Sequence, residues 1–298
     1  MKKVLLMIII SVLLIVSLQG CVENSPSDDQ PNNDADSKLE TNDGDALDLN
    51  ADEIHSLLNN AIEKTLGLND IAWRFTENEE TNGTRYMNPG DATSSANMHY
   101  ISETITETVF LNHQAENVEW YSERVTTENA TYTSVSNGEV LKEECSTKSV
   151  ISYYKDGYYY SVENNADGTT EKNKKSDESE ASFHFAFLDE HDRDLIKNID
   201  FSKAEVRENE NEVIVTVDLS AKEYYCLMTG IIVDEPPVTA TDIVAEFTVA
   251  DGYFTNFKME SDSKGSPYSF SINIHDIGET LTITPPEGYE DFEEMSKG

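Results

Sequence analysis

Apolar residues fall along this chain in three successive patterns. Val4 to Leu18 is a continuous apolar run broken by two serines and preceded by Lys2 and Lys3. Residues 22–50 hold nine acids, one lysine and almost no large apolar side chain. From residue 51 the apolar positions become periodic. In ADEIHSLLNNAIEKTLGLND, Ile54, Leu57, Leu58, Ala61, Ile62 and Leu66 follow a helical period, which predicts an amphipathic helix capped by Asp52 and ended by Gly67. The stretch IAWRFT then switches to alternation, with Ile71, Trp73 and Phe75 on one face and Ala72, Arg74 and Thr76 on the other.

Similar strands recur in YISETITETVFL, VEWYSERVTT, TYTSVSNGEVLKEE, VISYYKDGYYYSV, EVIVTVDL, DIVAEFTVADGYFTNFKMES and YSFSINIHDI. The pairs Asn137-Gly138, Asp156-Gly157 and Asp251-Gly252 predict hairpins, because type I′ turns need positive φ at both central residues. The sheet is therefore antiparallel and meandering. Its last three strands share one apolar face, made by Ile243, Ala245, Phe247 and Val249, then Tyr253, Phe257 and Met259, then Tyr268, Phe270, Ile272 and Ile274. Two segments break the strand pattern. SFHFAFLDEHDRDLIKNIDF reads as a short helical or irregular crossing with aromatic contacts from Phe183, Phe185 and Phe187, and SAKEYYCLMTGIIVDEPP as a short helix stopped by Pro236 and Pro237. The polar run from Glu163, ENNADGTTEKNKKSDESE, reads as a long hairpin tip or loop. An uncovered apolar sheet face drives aggregation, so the helices must lie on it, and the class is α+β.

Charge narrows the picture. The chain has 58 acids against 21 lysines and arginines, a formal charge of −37, and losing residues 1–20 with their two lysines makes it −39. Such a surface repels phosphates, which excludes nucleic acid and anionic headgroups as partners. Residues 21–50 cannot bury enough apolar area to offset their ordering entropy and are expected to form a disordered acidic tether. Asn32, Asp34 and Asp36 alternate as calcium-loop ligands do, but Ser37 stands where that turn needs glycine and Asp43 where it needs a bidentate glutamate.

Residues 1–20 have the layout of a secretory signal, and a fifteen-residue run at 1.5 Å rise is too short to span a bilayer, which takes about 20. The following LQGC resembles the lipobox of prokaryotic lipoproteins, in which the cysteine receives a diacylglyceryl group. That resemblance makes Cys21 a membrane anchor and places the body outside the membrane. The element order, the YYKDGYYYSV and VADGYFTNFKMES hairpins and the ending SINIHDIGETLTITPPEGYEDF resemble the LolA-like and LppX-like family of lipoprotein carriers and lipid-binding lipoproteins. The resemblance implies one domain over residues 51–292, followed by a tail at 293–298. It implies a large antiparallel sheet curved into an unclosed half-barrel, helices on its concave face, and a lipid or lipoprotein acyl chain between the two layers. The residues expected near such a cavity are Trp73, Phe75, Phe247, Val249, Phe257, Met259, Phe270 and Ile272 of the sheet, with Ile54, Leu58 and Ile62 of the helix. The same side chains would equally fill a closed core, giving a non-enzymatic envelope or surface interaction protein.

Signals for catalysis are lacking: there is no GxSxG, GxxxxGK, HExxH or CxxC, and no cofactor, metal or catalytic residue is expected. His184, Asp189, Glu190, His191, Asp192 and Asp194 cluster in sequence but read as a solvated face. Cys145 and Cys226 either pair in an oxidising compartment or remain thiols. Asn82 and Asn129 fit the glycosylation pattern, in expected surface turns. His275 falls on the polar side of its strand without a sequence-local partner. A monomer is expected.

Overall fold

The computed structural model describes residues 44–86, 95–112, 118–176, 196–209, 211–229, 241–262 and 266–292. The strands are β1 (Asp45–Ala46), β2 (Ile71–Tyr86), β3 (Ser95–Leu111), β4 (Glu119–Ser134), β5 (Val140–Lys155), β6 (Tyr158–Asn164), β7 (Thr170–Ser176), β8 (Glu205–Asn209), β9 (Glu212–Leu219), β10 (Thr241–Ala250), β11 (Tyr253–Asp262) and β12 (Pro267–His275). Among the described residues the α-helices are α1 (Ala51–Leu66) and α2 (Ala221–Thr229). All twelve strands join one antiparallel sheet in the order β1-β8-β9-β10-β11-β12-β2-β3-β4-β5-β6-β7. Two meanders, β2–β7 and β8–β12, meet at the β12–β2 seam, and the order ends on β1 and β7, so the sheet is unclosed.

Helix α1 is capped by Asn50, two residues before the expected Asp52. Asn50 Oδ1 accepts the Glu53 N–H at 3.1 Å while Glu53 Oε2 accepts the Asn50 N–H at 2.9 Å, a reciprocal pair that satisfies two otherwise orphaned donors. The fold also starts earlier than residue 51. Asp45 and Ala46 pair with Glu208 and Arg207, the Leu47 N–H donates to the Val206 carbonyl at 2.9 Å, and Leu47 and Leu49 pack on the core. Gly44 lies so close to β8 that a Cβ there would sit 2.9 Å from the Glu208 carbonyl oxygen. Residues 43–298 group as one compact unit, and residues 1–43 lie outside the described residues.

Two of the three marked turns have the expected geometry: Asp156 and Gly157 have φ of 51° and 79°, and Asp251 and Gly252 of 51° and 75°. Asn137-Gly138 instead belongs to a longer loop in which only Gly138 has positive φ. On β11 the alternation expected from Tyr253 is overturned. Thr248 faces Asn256 but Val249 faces Phe254, so Thr255 is an extra residue that inverts the parity before it. Phe254 consequently enters the core and Tyr253 is half-exposed beside Lys64, whose Nζ lies 3.8 Å from its ring centroid.

This bulge is where α1 docks. The buried Thr65 hydroxyl accepts the Phe254 N–H at 2.9 Å and donates to the Phe254 carbonyl at 3.3 Å, and Lys64 Nζ donates to the Asp251 carbonyl at 2.6 Å. Without that hydroxyl the Phe254 amide would be buried and unpaired, a loss of about 1–3 kcal/mol.

Strands β2–β5 are 16 or 17 residues long, about 50 Å at 3.3 Å per residue. Their far halves run past the main core as a four-stranded wing. The polar run after Glu163 is a hairpin tip, as expected at 165–169, but continues as a regular edge strand, β7. Its lysines pack over aromatic rings of its neighbours, Lys175 on Tyr159 at 4.9 Å and Lys174 on Tyr158 at 4.5 Å, and put charge on an open edge. Past β12 the chain crosses to the sheet's outer face, where Tyr289 meets Tyr153 and Tyr160 edge-on at 5.2 and 5.1 Å, and Phe292 is buried with them. This C-terminal strap covers an outer apolar patch that also includes Val162.

Candidate functional site

The inner face of the sheet and helix α1, which packs on it with α2, together hold every residue that the sequence assigns to the cavity. Trp73, Phe247, Val249, Phe257, Met259, Phe270, Ile272, Ile54, Leu58 and Ile62 are buried in one cluster, with Phe75 half-buried against it. Around β10–β12 they touch one another directly. Ring centroids are 4.9 Å apart for Phe247 and Phe257, 5.4 Å for Phe257 and Phe270, and 5.9 Å for Phe75 and Phe270.

The inner face continues where the sequence reading did not follow it. Trp73, Phe110, Trp120 and Tyr154 form a row across β2–β5, with successive centroids 5.3, 5.9 and 6.1 Å apart and ring planes within 15°, 24° and 7° of parallel. Tyr159 extends it onto β6, 5.9 Å from Trp120. The main contacts of α1 and α2 are with β9, β10 and β11, so this aromatic shelf lies to the side of both described helices. The signal for it was cross-strand register: Ile71 faces Phe110, which faces Trp120, which faces Tyr154. The hairpin residues alone do not reveal that pairing.

Beyond the shelf the inner face turns polar. Thr108 Oγ1 and Ser122 Oγ are 3.1 Å apart, as are Thr104 Oγ1 and Thr126 Oγ1, and the Tyr268 hydroxyl donates to Glu77 at 2.8 Å. Burial and the Glu77 carboxylate push the Tyr268 phenol well above its ordinary value. Further along the wing, a shallow concavity of about 590 Å³ is lined by Arg85, Met98, Tyr100, Glu128, Ala130 and Tyr132, among others. It lies away from the residues that the sequence picked out. Its polar groups are mutually satisfied: the Tyr132 hydroxyl accepts from Arg85 Nη1 and donates to Glu144, both at 3.0 Å, and Tyr100 and Ser146 donate to Glu128 at 3.0 and 3.1 Å.

Three polar side-chain atoms in the described structure are shut off from solvent and have no hydrogen-bond partner: His55 Nδ1, Asn59 Oδ1 and Thr106 Oγ1. His55 and Asn59 stand one turn apart on α1, and the His55 ring meets Phe201 edge-on at 4.9 Å. Thr106 shares the face of Thr108 and Phe110 on β3.

On the outer face, His275 does have a sequence-local partner: its Nδ1 lies 2.8 Å from Asp276 Oδ2, and its Nε2 3.4 Å from Glu107 Oε2. Arg74 pairs with the same Glu107. The hydrogen bond to Glu107 raises the His275 imidazole above its ordinary 6.5, against desolvation and with help from Asp276. For Glu107, desolvation pushes upward, but hydrogen bonds from His275 and Arg74 outweigh it and the net direction is down from 4.5. A raised folded-state imidazole stabilises fully below 6.5 and loses that contribution as pH rises through its folded value. A lowered carboxylate stabilises fully above 4.5 and loses it as pH falls through its own. Relative to His275→Gln, the wild type should therefore be favoured most between about 4.5 and 6.5, with the advantage fading toward alkaline pH. Thermal unfolding of both proteins across pH measures it; an advantage that grows above neutrality would refute the pairing.

Asn82 and Asn129 are exposed but lie inside β2 and β4 rather than in turns. Cys145 is exposed on β5 and Cys226 is buried in α2, and no disulfide joins them. Residues 177–195, with Phe183, Phe185, Phe187 and the His184 cluster, lie outside the described residues, as do Cys21, Pro236 and Pro237. Ile196, Ile199 and Phe201, which end that crossing, are in the core. Among the described residues no group of three His, Cys, Asp or Glu is arranged to hold a metal ion, and no helix is long and apolar enough to cross a membrane.

The sheet is antiparallel throughout, open at both edges, and carries its described helices on one face. This is the unclosed half-barrel that the LolA-like and LppX-like resemblance implies. No family model matches the chain, and no curated protein does. Among solved structures the chain is similar to the crystal structure of LprF from Mycobacterium bovis, at 12% identity and a TM-score of 0.34, over 80% of this chain and 98% of that one.

Proposed function

We propose that this protein is a membrane-tethered extracytoplasmic module that holds an apolar ligand, a lipid or a lipoprotein acyl chain, against the inner face of its half-barrel. The aromatic shelf of Trp73, Phe110, Trp120 and Tyr154 carries the reading. It prolongs the apolar face beyond the strands on which the described helices rest, and its four rings are buried, so an acyl chain would lie along it by displacing what now covers it while leaving the contacts of β10–β12 in place. Each methylene so buried contributes about 0.8 kcal/mol and needs no polar chemistry. The signal-like residues 1–20 and Cys21 would supply the anchor, and the acidic segment after them the spacer. None of these roles calls for a catalytic group.

The test is native mass spectrometry with organic extraction on the unit from Asp43 onward, purified from its own host. Stoichiometric lipid, reduced in Trp120→Ala, is the expected result. The ring contacts among Phe247, Phe257 and Phe270 favour a second reading, a packed half-barrel acting as an envelope interaction scaffold. An empty protein that also refuses added lipid would establish that reading and sink the first.

A further inference from the structure

The unpartnered pair on α1 points to the chemistry of the ligand's head. A buried polar atom without a partner forfeits about 1–3 kcal/mol, so native proteins keep few of them, and two on adjacent turns of one helix need an explanation. Spacing of four residues puts His55 and Asn59 side by side on the helix surface. They flank the stripe of Ile54, Leu58 and Ile62 that packs on the sheet, and the edge-on contact with the buried Phe201 fixes the His55 ring on that side. The two side chains do not bond each other, so a nitrogen and an acceptor oxygen are left unanswered at the margin of an apolar layer.

We infer that His55 and Asn59 form the head-group site for a neutral, hydroxyl-bearing lipid. The inference rests on the reading that the inner layer takes an apolar ligand. Asn59 Oδ1 can only accept, so the head must carry a donor; His55 Nδ1, as N–H, can donate to the same atom that donates to Asn59. One hydroxyl group meets both demands. A carboxylate or phosphate meets neither the Asn59 requirement nor the charge of the chain, which stands at −37. An ammonium would satisfy Asn59 and, with His55 protonated on Nε2 instead, Nδ1 as well, so tighter uptake of hexadecylammonium than of the alcohol would count against the hydroxyl head.

Hexadecan-1-ol, palmitate and hexadecane, each delivered from cyclodextrin to the unit from Asp43 onward and followed by native mass spectrometry, separate the possibilities. The wild type should take up the alcohol about tenfold more tightly than either of the others at neutral pH. In Asn59→Leu and in His55→Phe the ratio of alcohol to alkane should fall to within about twofold, with both variants checked for the native circular dichroism spectrum. A wild type that does not prefer the alcohol, or a preference that survives both substitutions, would overturn the head-group site while leaving the apolar-ligand reading intact. Uptake of none of the three would remove both. The wild-type ratio is informative even where a variant fails to fold.

Discussion

Phe257→Ala should lower the stability of this protein by about 3–5 kcal/mol, read as a shift of the urea midpoint with little change in slope. Phe257 has no solvent exposure, sits at the middle of β11 opposite Phe247 on one side and Ile272 on the other, and touches both Phe247 and Phe270 through its ring. Neighbours on paired strands cannot close the gap, because the ladder fixes their backbone spacing, so most of the ring's volume would remain as a cavity. Were the loss below about 1 kcal/mol while lipid uptake fell sharply, Phe257 would line a cavity, and the packing described for β10–β12 would be wrong.

Beginning the chain at Ala51 rather than Asp43 should lower stability by about 3 kcal/mol. The shorter chain loses strand β1, the bond from Leu47 to Val206, the apolar contacts of Leu47 and Leu49, and the Asn50 cap. The cap alone accounts for about 1 kcal/mol, which Asn50→Ala in the longer chain isolates, and the two partly buried leucines for about 1 kcal/mol each. Equilibrium unfolding of the three proteins checks the division. Equal midpoints for the Ala51 and Asp43 chains would mean that β1 adds nothing to the fold.

Where one side of an element is apolar and the other polar, the chain announced its structure. Helix α1 and strands β10 to β12 fall in this class, and so do the Asp156-Gly157 and Asp251-Gly252 turns, whose φ values few other residue pairs reach. The wing was harder to read because its buried apolar residues, Ala96, Ala130 and Tyr132, are few and set among polar ones: β2 was legible to Thr76 but continues through ENEETNGTRY to Tyr86, held by ladder bonds that any side chain permits. The bulge at Thr255 was illegible for another reason. One extra residue leaves composition untouched and yet exchanges Tyr253 for Phe254 in the core. As for the candidate site, its apolar residues were legible from alternation, but the shelf depends on which strand lies beside which, and the His55–Asn59 pair on which polar atoms the packing leaves unanswered. Neither is a property of any one segment.

The β12–β2 seam bears on how the molecule comes into being. It joins Tyr268 to Glu79 and His275 to Ala72, residues nearly the whole length of the domain apart, and the bond between Thr65 and Phe254 spans 189 positions. Contacts so distant in sequence form late and slowly, since a long loop must be closed before any of them is gained. The first meander therefore has no partner along β2, and α1 no strand to dock on, until the last quarter of the polypeptide has been made. A chain built this way cannot complete its sheet while it is being synthesised, which suits the proposed route of a polypeptide threaded across a membrane before it folds.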